Sequence, residues 1–191
     1  MVTRIKDKDT ELVHRVRDGD TGAFRILVNL YKDKSLSLAV SIVRDEPLAE
    51  DILQDVFIKV YKNIKKFKFK SKFSTWLYRI VVNSCYNELK KQRPKVAIEA
   101  SNILEQAVTK TRDKTLAYKD QQKYIQMAMA QLKTDEALVL RLFYLCEMSL
   151  KEIETISGYS VSKIRVDLHR GRKNMEKQLK LLLGEEINTL L

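Results

Sequence analysis

The chain has 191 residues, with 36 Lys and Arg against 25 Asp and Glu, which gives a formal net charge of +11. This length allows one or two small domains, and the basic excess favours a polyanionic partner, either nucleic acid or an anionic membrane. The sequence has no apolar run near the roughly 18 residues of a membrane-spanning helix, and its first residues lack the apolar stretch of a secretory signal. We therefore expect a cytoplasmic protein without membrane insertion.

The cysteines and histidines give no sign of a metal site. Cys85 and Cys146 lie within apolar helical patterns, where we expect them to be buried, reduced thiols. His14 and His169 are the only histidines, and they show no metal-ligand spacing. We predict neither a metal nor a cofactor.

The N-terminal half of the sequence predicts four helices and no strand. The chain has only five Gly and two Pro, and no alternating strand pattern occurs. Apolar spacing predicts a short helix over residues 10–17 and a second over residues 23–43. A third helix begins at Pro47, where the missing N–H of proline is tolerated, and a fourth covers residues 73–91.

The C-terminal half predicts a second helical module behind a linker. Residues 95–117 have mixed charge and no apolar stripe, and the helical pattern returns at Tyr118. The Thr134-Asp135 pair predicts a helix cap, and Ser149 with Glu152 fits a capping box. The predicted fold is therefore all-α, with helical domains at residues 1–94 and 121–191 joined by a flexible linker at residues 95–120.

Two short helices separated by the Gly158-Tyr159 turn predict a helix-turn-helix. Helical spacing directs three residues of the second helix inward and leaves basic side chains on its outer face. The inward set is Val161, Ile164 and Leu168, and the outer set is Lys163, Arg165, His169, Arg170 and Lys173. A helix-turn-helix places its second helix in the DNA major groove, so this pattern predicts a DNA-binding domain.

The third helix divides into an apolar stripe and an acidic face. Packing accounts for the stripe, which includes Ile52, Leu53, Val56 and Phe57. The opposite face carries Glu50, Asp51, Gln54, Asp55 and Ile58. The residues alone fit equally well a solvated acidic face and a docking surface for a basic partner.

The fourth helix combines an apolar stripe with aromatic and polar side chains. Phe73, Trp76, Leu77, Ile80, Val81 and Ser84 form the stripe, in which Trp76 is interpreted as a core anchor. The other face is predicted to carry Thr75, Tyr78, Arg79, Val82, Asn83, Tyr86, Asn87 and Lys90. Aromatic rings beside cations suit stacking with unpaired bases, and the asparagines can bond to base edges.

A lysine-rich segment connects the third and fourth helices. It contains Lys62, Lys65, Lys66, Lys68, Lys70 and Lys72. The cluster is predicted to contact nucleic-acid phosphates, although for any single lysine a solvated charge is as good an interpretation.

Three blocks in this order resemble the extracytoplasmic-function (ECF) group of bacterial RNA polymerase sigma factors. They are residues 49–57 (AEDILQDVF), residues 73–83 (FSTWLYRIVVN) through Arg93-Pro94, and the helix-turn-helix. The resemblance covers residues 9–93 and 121–183. It implies a sigma region 2 helical bundle, which binds core polymerase and melts the minus-ten promoter element, and a region 4 that recognises the minus-thirty-five element.

The resemblance also implies roles for individual residues. It places Asp51, Gln54, Asp55 and Ile58 at the core polymerase surface. It places Tyr78, Arg79, Asn83, Tyr86, Asn87 and Lys90 at the minus-ten element. It assigns Lys163, Arg165, Val166, His169 and Arg170 to the minus-thirty-five element, with Ser149, Lys151, Arg172 and Lys173 at phosphates. Asp167 departs from the basic pattern and is expected to point away from the DNA backbone.

The expected partners are core RNA polymerase, promoter DNA and, as the resemblance implies, an anti-sigma factor. No catalysis is expected in the chain itself. Two alternative functions would use some of the same residues. A free-standing helix-turn-helix regulator would need a sensing pocket and a dimerisation helix. A metal-dependent nuclease would use Glu50, Asp51 and Asp55. Co-purification with core RNA polymerase distinguishes a sigma factor from both.

Overall fold

The structure is a computed structural model that describes residues 2–92 and 114–183. Within these two ranges all regular secondary structure is helical, so the predicted all-α fold is confirmed. Residues 93–113, which include most of the predicted linker at residues 95–120, lie outside the described residues. No helix in the described ranges is both long enough and apolar enough to cross a bilayer.

The first four helices pack together into what we call the N-terminal module. Asp20 caps α2 by accepting a hydrogen bond from the Ala23 amide at 2.9 Å, and Asp45 caps α3 through the Leu48 amide at 3.0 Å. Pro47 lies in the first turn of α3, as predicted. The helices are α1 (Val2–Arg17), α2 (Thr21–Val43), α3 (Glu46–Asn63) and α4 (Phe73–Gln92), with a 3₁₀ turn at Ile64–Lys66.

The apolar stripe of α3 forms part of the core of this module. Ile52, Leu53 and Val56 are buried, and Phe57 is half-buried against the same core, which confirms the packing predicted from periodicity. Trp76 of α4 is also half-buried, with its ring 5.1 Å from that of Phe67. Trp76 therefore packs at the edge of the core, close to the predicted anchor role.

The last four helices form what we call the C-terminal module. It contains α5 (Lys114–Ala130), α6 (Thr134–Leu140), a π-helical segment (Arg141–Leu145), α7 (Leu150–Ser157) and α8 (Val161–Leu183). Helix α5 begins at Lys114, within the residues predicted as the linker. One prediction about local structure is wrong, because α6 is preceded by Lys133 without the predicted side-chain cap. The carboxylate of Asp135 instead bonds to Tyr159 and Lys163.

Gly171 allows α8 to cross α6 at close range. A Cβ atom at this position would lie 3.0 Å from Cδ1 of Leu140, which is itself buried. Two buried residues of α8, Ile164 and Leu168, belong to the same core. The close packing of α8 against α6 therefore depends on the absence of a side chain at residue 171.

We expect Gly171→Val to lower the free energy of unfolding by about 1–3 kcal/mol, because the added side chain overpacks a filled crossing. Urea unfolding followed by circular dichroism measures this change. Lys173→Val is the comparison, since residue 173 is exposed on the same helix. The change from Lys to Val lowers helix propensity, whereas the change from Gly to Val raises it, so a larger loss at residue 171 must come from packing. An equal loss in both variants would show that the crossing is not tight.

The two modules pack against each other in what we call the closed arrangement. Helix α4 contacts α7, and α2 contacts both α6 and the π-helical segment. Lys72 forms an ion pair with Glu152 at 2.9 Å, and Arg141 Nε donates to Ser37 Oγ at 3.0 Å. Side chains of both modules therefore share one buried boundary.

Candidate nucleic-acid interface

The helix-turn-helix is formed by α7 and α8. Ser149 and Glu152 make the predicted capping box, in which the Ser149 amide donates to Glu152 Oε2 at 2.9 Å and the Glu152 amide donates to Ser149 Oγ at 3.3 Å. Gly158 ends α7 with a φ of 75°, which glycine adopts without strain. The turn then directs α8 across the C-terminal module.

The N-terminal half of α8 divides into the two faces that the sequence predicts. Ile164 and Leu168 are buried in the core. The exposed face carries Arg165, Val166, His169 and Arg170, and Val166 is 45% exposed. A row of two guanidinium groups, an imidazole and a small apolar side chain can form hydrogen bonds and methyl contacts with base edges in a major groove.

Lys163 differs from the other predicted contacts because its charge is neutralised within the protein. Its Nζ donates to Asp135 at 2.8 Å and also to Asp167, and it lies 4.1 Å from the centre of the Tyr159 ring. Asp167 is buried, as expected for a carboxylate that points away from a DNA backbone. The bonds to the two carboxylates raise the pKa of Lys163 although partial burial opposes this.

The predicted phosphate contacts are all exposed, but two of them also have structural roles. The Ser149 hydroxyl donates to Glu152 at 2.7 Å, and Arg172 Nε donates to the Leu168 carbonyl at 3.2 Å. Lys151 and Lys173 extend from α7 and α8 respectively. Two of these four positions precede α8 in the sequence, and two follow its exposed residues. Phosphate contacts on both sides of a DNA-binding helix fix its position on the duplex.

Helix α4 presents a second polar face. Arg79, Asn83, Asn87 and Lys90 are exposed and recur at helical spacing. The exposed lysines of the loop before α4, from Lys62 to Lys70, add positive charge to the same module. The loop is held at Phe69, which has a φ of 55°, stacks on His14 at 4.7 Å and lies beneath the Arg17 guanidinium. No pattern in the sequence indicates this anchoring.

The prediction that Tyr78 faces outward is wrong. The side chain is 1% exposed, its ring packs edge-on against Tyr31 at 6.0 Å, and its hydroxyl lies near the thiol of Cys146. Thr75 and Val82, predicted on the same outer face, are also buried. The reason is tertiary, because the C-terminal module covers this side of α4.

Tyr86 is half-buried at the same boundary. Its hydroxyl lies 3.0 Å from that of Tyr159, which donates to Asp135 at 2.6 Å. Burial opposes ionisation of Asp135, but the bonds from Lys163 and Tyr159 outweigh it and lower the pKa of Asp135. The sequence pattern does not single out Asp135 and Tyr159 as residues of the boundary between the modules, since neither belongs to a periodic stripe.

The acidic face of α3 lies outside the boundary between the two modules. Asp51, Gln54 and Asp55 are exposed, and Ile58 is 47% exposed beside them. Within the described residues no group of three or more His, Cys, Asp or Glu side chains could hold a metal ion. The face therefore presents exposed carboxylates on consecutive turns of α3.

Both cysteines are buried, as predicted, and neither forms a disulfide. Burial raises the pKa of Cys85 to about 12 and that of Cys146 to about 11. Because the thiolate is the reactive form, both thiols are unreactive while they remain buried.

Comparison with known families divides the chain in the same way. Residues 27–95 match Sigma-70 region 2, and residues 122–175 match Sigma-70 region 4. Among curated proteins, the chain is 32% identical over 179 residues to the ECF RNA polymerase sigma factor SigW of Bacillus subtilis (88% of this chain, 95% of that protein). It is also 32% identical over 189 residues to the RNA polymerase sigma-H factor of Pseudomonas aeruginosa (94% and 98%).

Two solved structures share the fold at lower identity. CnrH, determined in complex with the cytosolic domain of CnrY, has a TM-score of 0.64 at 21% identity and covers 91% of this chain and 98% of its own. RpoE of Bartonella quintana, determined in complex with the anti-sigma factor NepR, has a TM-score of 0.63 at 23% identity, with coverage of 82% and 96%. The same helical arrangement therefore occurs in proteins of distant sequence.

Proposed function

Because this chain belongs to the ECF group of bacterial sigma factors, we propose that it binds core RNA polymerase, directs it to specific promoters and helps to open the DNA there. The observation that supports this most strongly is the presence of two separate polar faces for nucleic acid, one on α4 and one on α8, in one chain. A free-standing regulator requires only the face on α8.

We assign core binding to the acidic face of α3. Asp51, Gln54 and Asp55 are exposed on consecutive turns, and Ile58 supplies an apolar contact beside them. Such a face suits a basic helical surface of the polymerase, where charge complementarity increases the association rate and fixes the register. Nucleotide addition belongs to the polymerase, so the chain itself needs no catalytic group.

Strand separation is assigned to α4. Arg79 and Lys90 can neutralise phosphates, while Asn83 and Asn87 can bond to the edges of unpaired bases. Tyr86 is the aromatic residue of this surface that could stack on a base once it is uncovered. We remove Tyr78 from this assignment, since its side chain is buried and its ring packs edge-on against Tyr31.

Upstream recognition is assigned to α8. Arg165 and Arg170 can form forked hydrogen bonds to guanine, and Val166 can contact a thymine methyl group. His169 lies on the same exposed face. Lys163 is a weaker candidate, because DNA would have to compete with Asp135 and Asp167 for its ammonium group.

The two modules correspond to residues 1–94 and 121–191 in this proposal, with residues 95–120 as the connection. A tether between two weak DNA-binding surfaces raises the effective concentration of the second once the first is bound. We also propose an anti-sigma partner, because relatives of the same fold were solved with CnrY and with NepR.

Run-off transcription with core polymerase and a randomised promoter library tests the function. We expect the purified chain to confer start sites that share two sequence elements, and to co-purify with the core enzyme. Transcripts identical with and without the chain would refute the proposal. A chain that binds duplex DNA but never the core enzyme would favour a free-standing regulator.

We expect Asn83→Ala to reduce open-complex formation on duplex promoter DNA roughly three- to tenfold, which corresponds to about 1 kcal/mol for one lost hydrogen bond. Binding to a premelted template should change less, because strand separation has already been achieved there. Permanganate footprinting of the two templates measures the difference. Equal losses on both would assign Asn83 to general binding.

A further inference from the structure

Lys163, in the first turn of α8, is held by three residues of its own module. Its Nζ donates to Asp135 of α6 at 2.8 Å and also to Asp167, one turn further along α8. The same Nζ lies 4.1 Å from the centre of the Tyr159 ring, a distance at which an aromatic face attracts a cation. All three partners belong to the C-terminal module, so these contacts do not depend on how the two modules are arranged.

The charges of this group keep Lys163 on the protein. One ammonium and two carboxylates carry a net charge of −1, which repels a phosphate. Asp167 is 7% exposed, and Lys163 is the one residue that forms an ion pair with it among the described residues. If Lys163 turned to a phosphate, this carboxylate would be left buried without a cation, which is strongly unfavourable. Because 39% of the Lys163 side chain is exposed, pairing rather than burial separates it from DNA.

Helix α6 also holds α8 at a second point. Glu136, next to Asp135, accepts a hydrogen bond from Asn174 Nδ2 at 2.8 Å. Asn174 lies about three turns beyond Lys163, or roughly 16 Å along the helix axis. Contacts so far apart fix the rotation of α8 about its own axis. The residues of its exposed face therefore keep one direction.

Ser162 is the residue of the first turn that shares this exposed face. It precedes Arg165, Val166 and His169 by three, four and seven residues, which is the spacing of one side of a helix. In a helix-turn-helix the N-terminal residues of the second helix contact base edges. A serine hydroxyl both donates and accepts, so it can bond to such an edge. Ser162 is exposed, although it is not among the contacts predicted from the sequence.

We propose that Asp135 and Asp167 withhold Lys163 from DNA, and that Ser162 makes the base contact of the first turn of α8 in its place. One lysine fewer at the phosphates lowers the affinity for every sequence alike, so that recognition depends more on the base contacts of the exposed face. The inference rests on the proposed function, because it concerns the face of α8 assigned to the upstream element.

The salt dependence of DNA binding tests whether Lys163 is withheld. The full chain, bound to core polymerase, is titrated with duplex DNA that carries its preferred upstream element. Lys163→Met should leave the slope of log K against log salt unchanged, because no phosphate contact is lost. Lys173→Met, the same substitution at an exposed position assigned to a phosphate, should reduce the slope by about 0.9. A reduction of this size in Lys163→Met would overturn the proposal.

Neutralising the two carboxylates tests the cause. Asp135→Asn with Asp167→Asn keeps the shape of both side chains, and in this background the loss of Lys163 leaves no unpaired carboxylate. The double variant should bind DNA about three- to tenfold more tightly at 0.1 M salt, with a slope steeper by about 0.9. Adding Lys163→Met should abolish both gains. An absent gain, or one that persists without Lys163, would overturn the proposal.

The matched control for this double variant is Glu147→Gln with Glu154→Gln, which removes two exposed carboxylates from the same module. In this background Lys163→Met should again leave the slope unchanged, because Asp135 and Asp167 still hold the lysine. A slope that became sensitive to Lys163→Met here would assign the effect to general charge, against the proposal.

Selection from a randomised duplex library tests Ser162 in the same complex with core polymerase. Ser162→Ala should reduce the preference at one base pair of the upstream element about three- to tenfold, as expected for one hydrogen bond. Lys163→Met should keep every base preference. Unchanged preference in Ser162→Ala, or a uniform loss over all sequences, would overturn the base contact. Failure of the unsubstituted chain to select any sequence would instead refute the proposed function, and this inference with it.

Discussion

Replacing Asp51 and Gln54 together by alanine should weaken binding to core RNA polymerase at least tenfold, or by about 1.4 kcal/mol. Both side chains are exposed on α3 and lie outside the boundary between the modules, so their removal leaves the fold intact. Most of the loss should appear in the association rate, because exposed interfacial charges act mainly by steering. Surface plasmon resonance at two salt concentrations separates this effect from dissociation.

The matched control removes one carboxylate and one carboxamide side chain from the C-terminal module. Gln131→Ala with Glu154→Ala changes the net charge equally, and both residues are exposed. This control should bind the core enzyme like the unsubstituted chain. Binding of duplex DNA should also be unaffected by Asp51→Ala with Gln54→Ala. Unchanged core affinity in that double variant would remove α3 as the docking face.

Replacing Arg165 by alanine should lower affinity for the preferred upstream element about ten- to hundredfold, which corresponds to the 1–3 kcal/mol of a forked contact to guanine. Arg165 is exposed on α8, and the inward residues Ile164 and Leu168 fix its direction. The loss should be confined to one base pair. Selection from a randomised duplex library before and after the substitution measures that preference.

Arg172→Ala provides the comparison, because Arg172 is assigned to a phosphate. It should weaken binding to all sequences alike and reduce the slope of log K against log salt by about 0.9. The base preference should persist. If Arg165→Ala behaved in this uniform way, Arg165 would be a backbone contact and the recognition assigned to α8 would need another residue.

Local sequence patterns were sufficient to predict the helices and the buried residues within each module. The stripe of Ile52, Leu53 and Val56 follows from a 3.6-residue period, and the structure buries all three. Ser149 and Glu152 predicted a capping box that depends only on residues three apart, and it is present. The inward positions Ile164 and Leu168 were likewise predictable, because a helix-turn-helix has one core-facing side.

The predictions that the structure changes depend on contacts between residues far apart in the sequence. Tyr78 was placed outside because α4 has a more apolar stripe elsewhere, yet a second module covers that side of the helix. Lys163 fitted the basic outer face of α8, but Asp135, 28 residues earlier, neutralises it. The same long-range pairing explains why Asp135 does not cap α6.

The sequence by itself determined the helices, the core of each module and the family, since these depend on short-range periodicity and on motifs in a fixed order. Only the tertiary structure decided which outward side chains are accessible, because exposure depends on residues far away in the chain. Tyr86 illustrates this division. Its helical position was predictable, whereas its contact with Tyr159, 73 residues later, follows from how one module packs on the other.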